Sequence, residues 1–211
     1  VEYALRDDGS VSWLEEVRRI MPSPPGAGDS VDRDAVEASW GTRFPGDYKE
    51  FMAEYGEGAI DDYLSLMAPE IHVGPGGESP CMGMQQESAN AEDVWRAAGR
   101  GAAETPRLIA WGADSSADIL CWPATDSDPD KWPVVVWGRG DARGTEYPCG
   151  MVEFLCRLFR AEFDECPLGA VSLWGVGSAR FLPGEEEQRL RKAGISPWTG
   201  EPDPYAGMFG D

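Results

Sequence analysis

The chain is poor in basic residues, in histidine and in long apolar runs. Nowhere do its apolar residues approach the roughly 20 in a row that a membrane-spanning helix needs; the best runs, such as 132–137, are far shorter. Eighteen Lys and Arg stand against 38 Asp and Glu, a formal net charge of −20. A direct nucleic-acid binder needs a basic footprint on phosphate, so this balance argues against one. Anionic lipid surfaces are disfavoured for the same electrostatic reason. The first residues carry Glu2, Asp7 and Asp8 and no basic-then-apolar signal pattern.

Thiols and imidazole are equally sparse. Five cysteines (Cys81, Cys121, Cys149, Cys156 and Cys166) make an odd number, and no two are spaced Cys-x-x-Cys. That pattern fits neither a disulfide framework nor a zinc site, and predicts reduced thiols in a cytoplasm. Cys121 falls in an apolar strand pattern and Cys156 in a helical one, as small core residues do. His72 is the only histidine. A Cys-His-Asp site would join it to Cys81 and to Asp61 or Asp62; the plainer reading is a strand histidine with a satisfied hydrogen bond.

Catalytic motifs are missing too. There is no Walker A loop, nucleophile elbow or paired-histidine zinc helix. The stretch Gly138-Arg139-Gly140-Asp141-Ala142-Arg143-Gly144 misses a dinucleotide fingerprint because its third glycine comes one residue late. Its Arg139-Gly140-Asp141 spells a cell-adhesion tripeptide, a chance match in an intracellular chain. Asp126-Ser127-Asp128-Pro129-Asp130 opens like an EF-hand loop, but Lys131 and Trp137 stand where that loop requires Gly and Glu. Only an irregular metal site survives that comparison.

What is present is globular. With 211 residues, 42% of them hydrophobic and nine Trp, one core suffices without covalent staples. Ser12 and Glu15 predict a capping box for a first helix whose Trp13, Leu14, Val17, Ile20 and Met21 form one stripe. A second helix is predicted over 33–40, with Asp32 as cap and Gly41 as stop. A third enters at Phe44-Pro45-Gly46-Asp47, buries Tyr48, Phe51, Met52 and Tyr55, and ends at Gly56. Beyond it, strands are predicted over 60–67, 71–73, 108–111, 119–122 and 134–137, and helices over 89–98 and 151–163. The tail reads as a strand at 171–174, a charged helix at 185–193 and a Pro/Gly-rich acidic segment, 196–211, draped by its aromatics.

The segment from Trp40 to Ile60, with Phe44, Pro45, Tyr48, Phe51, Tyr55, Gly56, Gly58 and Ile60 at its marked places, resembles the SUKH superfamily of bacterial immunity proteins and yeast cell-wall-synthesis regulators. That group's second signature, an apolar strand, Gly-x-Asp and a strand ending in Trp, is matched by Leu108-Ile109-Ala110-Trp111-Gly112-Ala113-Asp114 and Leu120-Cys121-Trp122. Pro133-Val134-Val135-Val136 and the following helix continue in the same order.

The resemblance implies an α+β domain over 10–165, built on a mixed, mainly antiparallel sheet with helices packed against it, and followed by a 166–211 extension. It implies no catalysis, no cofactor and no metal. The implied role is cytoplasmic neutralisation of a cognate toxin, often a nuclease; the alternative is regulation of an endogenous protein. The −20 charge has two readings, plain solubility or steering towards a basic partner. Under the second, the sheet-edge connections carrying Asp114, Asp118, Asp126, Asp128 and Asp130 are the expected contact surface for a basic toxin domain.

Overall fold

The computed structural model describes residues 3–5, 9–28, 32–69, 83–98 and 106–204. Three helices come first: α1 (Trp13–Ile20), α2 (Arg33–Trp40) and α3 (Gly46–Tyr55). A short hairpin follows, β1 (Gly58–Ile60) and β2 (Leu64–Leu66), and then α4 (Met84–Ala97). The meander β3 (Leu108–Asp114), β4 (Ile119–Pro123), β5 (Val134–Gly138) and β6 (Arg143–Tyr147) leads into α5 (Met151–Phe159). β7 (Phe181–Pro183) and α6 (Gly184–Lys192) close the described part.

The strands form one sheet in the order β6-β5-β4-β3-β2-β1-β7. Every neighbouring pair is antiparallel, so the fold is α+β. Side chains alternate between faces along a strand. Ile109, Trp111, Leu120, Trp122, Val134 and Val136 therefore join the larger core under α1, α3 and α5. Leu108, Ala110, Ile119, Cys121, Val135 and Trp137 point the other way, where Ala91 and Trp95 of α4 cover them. This explains why these strands read as unbroken apolar runs: water reaches neither face.

Aromatic packing ties α3 to the sheet. Phe51 stacks on Tyr55 with centroids 4.5 Å apart, and Tyr55 meets the edge of Phe181 at 5.3 Å. The Tyr48 hydroxyl donates to the Met67 carbonyl at 2.7 Å, and that of Tyr55 to the Met21 carbonyl at 2.6 Å. Both phenols thus keep a hydrogen bond although buried. On α1, the fully buried Glu16 carboxylate receives Arg19 and Arg160, linking that helix to the end of α5.

Several elements follow the expected pattern closely. The Asp32 side chain accepts from Ala35 N–H at 3.2 Å, and Gly41 ends α2 at φ +63°, a left-handed conformation that suits glycine. Other elements depart from it. Ser12 precedes α1, but its hydroxyl makes no cap bond. The stretch 60–67 is a hairpin rather than one strand, because Asp61 and Asp62 both turn through left-handed φ. Asp tolerates that conformation better than most residues. Residues 71–73, with His72, and 74–82, with Cys81, lie outside the described residues, as does the tail from 205 onward.

The C-terminal segment also differs. Val171–Leu173 is a 3-10 turn, not a strand. The strand from this segment is β7, which pairs with β1 and carries Phe181 into the main core. Its three residues are too short for an alternation signal. Trp198 lies under the Arg180 guanidinium at 5.5 Å, and residues Ile195 and Pro202 form a bridge. Phe181→Ala should cost about 3–5 kcal/mol of folding stability. Equilibrium urea unfolding measures this, and an unchanged midpoint would show that β7 adds nothing to the core.

Candidate functional site

The sheet has two ends. At one, the turn end, lie the β1–β2, β3–β4 and β5–β6 turns; at the other lie the entry to α3, the β4–β5 connection and the start of α5. The five aspartates expected to share one surface divide between these ends. The five residues of β4, rising about 3.3 Å each, hold Asp114 and Asp118 roughly 17 Å from the 126–130 loop.

At the turn end, Asp114 and Asp118 are buried, 6% and 4% exposed. Asp114 Oδ1 accepts from Ser116 and Asp118 N–H at 2.8 and 2.9 Å, and its Oδ2 accepts from Ala170 N–H at 3.0 Å. Asp118 Oδ1 accepts from Arg139 N–H at 2.8 Å and Oδ2 from Gly169 N–H at 2.6 Å. The two carboxylates therefore staple the β3–β4 turn, the β5–β6 turn and the 169–170 segment together. Burial pushes the Asp114 carboxyl above its ordinary pKa, with Asp118 adding to the effect against the pull of the N–H donors. This corrects the expected contact set: these two acids face inward, because turn backbones need acceptors there.

The 126–130 loop faces solvent, with Asp126 and Asp130 exposed and Asp128 partly so. Asp126 Oδ1 accepts from Asp128 N–H at 2.8 Å, and Asp128 Oδ1 from Asp130 N–H at 3.3 Å, two successive aspartate turns. Trp132 Nε1–H donates to the Asp126 carbonyl at 2.8 Å and pins the loop to the core. Asp130 Oδ1 accepts from Gly46 N–H at 2.6 Å, at the first turn of α3. The preceding Pro45 has no side chain to cap that helix, so Asp130 does the work from 84 residues away.

Asp47 makes the matching bond. Its Oδ2 accepts from Val152 N–H at 3.0 Å, capping α5, whose own leading residue is Gly150. A Cβ on Gly150 would lie 2.5 Å from that carboxylate, so the glycine is what admits it. Between the two caps opens a shallow cavity of about 310 Å³ lined by Pro45, Asp47, Glu50, Pro129, Asp130 and Trp132. Burial raises the Asp47 pKa, with Asp130 and Glu50 contributing against the N–H groups of Val152 and Tyr48. Asp47 and Glu50 were not foreseen as part of this acidic end. The legible signals were a Pro-Gly-Asp helix entry and a glycine where α5 needs a cap.

The surface this end offers is negative and open. Among the described residues, no three His, Cys, Asp or Glu side chains group as metal ligands. Burial pushes the Cys121 and Cys149 thiols up to about 12 and Cys156 to about 11, so all three stay protonated at neutral pH and are poor nucleophiles. No helix among the described residues is long and apolar enough to cross a membrane.

An antiparallel sheet clad by helices, with the Phe-Pro-x-x-Tyr entry and the Gly-x-Asp turn at fixed places, defines a small α+β class. The chain belongs to the SUKH_6 family, described as SMI1-KNR4 cell-wall, whose model matches residues 33–155. The match runs from the start of α2 into α5 and stops before β7. No curated protein and no solved structure matches the chain.

Two measurements check this account. Asp118→Ala strands the Arg139 and Gly169 N–H groups and should cost about 1–3 kcal/mol for each; an unchanged melting temperature would refute the staple. For Asp47, the folded pKa is raised above the ordinary 3.8, so its contribution is largest below that value and declines as pH rises through the folded pKa. The stability of the native chain relative to Asp47→Asn should therefore fall between about pH 4 and the raised folded value. A gap that widens with pH would reverse the assignment.

Proposed function

We propose that the chain is an immunity protein, a non-catalytic binding domain that neutralises a cognate toxin in the cytoplasm by occluding its active site. Membership of the SMI1-KNR4 family supports a protein-binding role of the toxin-immunity or regulatory kind. The observation that carries the choice of partner is the exposed carboxylate loop, Asp126, Asp128 and Asp130, beside Glu50 on a chain of net charge −20. Such a face complements a basic surface, as on a toxin that grips nucleic acid, and speeds encounter with it. The protein itself then touches neither nucleic acid nor membrane and needs no cofactor. Asp114 and Asp118 are buried at the opposite end of the sheet and take no part in this face.

The family's description, with its reference to the cell wall, favours a second reading: a regulator or scaffold that binds an endogenous partner. Co-expression with the C-terminal domain encoded by the adjacent gene, scoring viability with and without this chain, separates the two. Restored viability together with a salt-sensitive complex is the outcome expected of an immunity protein. A harmless neighbour, or equal killing with and without the chain, moves the regulator forward. In the complex, Asp126→Lys with Asp128→Lys should slow association by about tenfold and flatten its salt dependence. Unchanged kinetics would remove the loop from the interface.

A further inference from the structure

We draw no further inference here: the strongest candidate, the open hollow of about 570 Å³ between the β1–β2 turn, the end of α6 and the 196–204 loop, sets Arg191 beside Asp62, Glu201 and Asp203, and nothing in the structure shows what covers it.

Discussion

β3, β4 and β5 carry apolar side chains on both faces, and this constrains everything around them. A sheet with one wet face can be clad by a single layer; this one cannot, because Trp111 and Trp122 point one way while Ile119 and Trp137 point the other. Helices α1, α3 and α5 cover one face and α4 the other. With both faces closed, the ends and edges of the sheet are what remains open to solvent. The acidic loop 126–130 lies at one of those ends.

The same residue type does opposite work at the two ends. Asp114 and Asp118 are drawn inward by backbone N–H groups of turns that are distant in sequence, and burial of their charge is tolerated because every oxygen has a donor. Asp126 and Asp128 bond only to their own loop and keep their outer sides in water. Asp130 stands between these cases, capping α3 while remaining exposed. Charge on the sequence is therefore not the same as charge on the surface.

The cross-helix caps show how local weakness is repaired from afar. Pro45 and Gly150 lead their helices without a capping side chain, and Asp130 and Asp47 supply the acceptors. The acidity at this end is thus partly architectural. An end that presents carboxylates to solvent also uses two of them, Asp130 and Asp47, to fix the helices it is built on.

Local chemistry made the early helices legible. Asp32 and Gly41 bound α2 by capping and a left-handed stop, and the aromatic stripe of α3 identified its buried face. The apolar runs at 108–111, 119–122 and 134–137 identified the central strands, and the helix-entry motif carried the family. None of this needs knowledge of distant residues, since capping and periodicity are written within a few positions. Tertiary structure alone decided the rest. β7 is only three residues long, and its place beside β1 depends on chain returning from α5. Which aspartates face water depends on which N–H groups the fold brings within reach, across separations of 21 to 56 residues for the turn-end staples. Those partners are set by packing, and a sequence window cannot contain them.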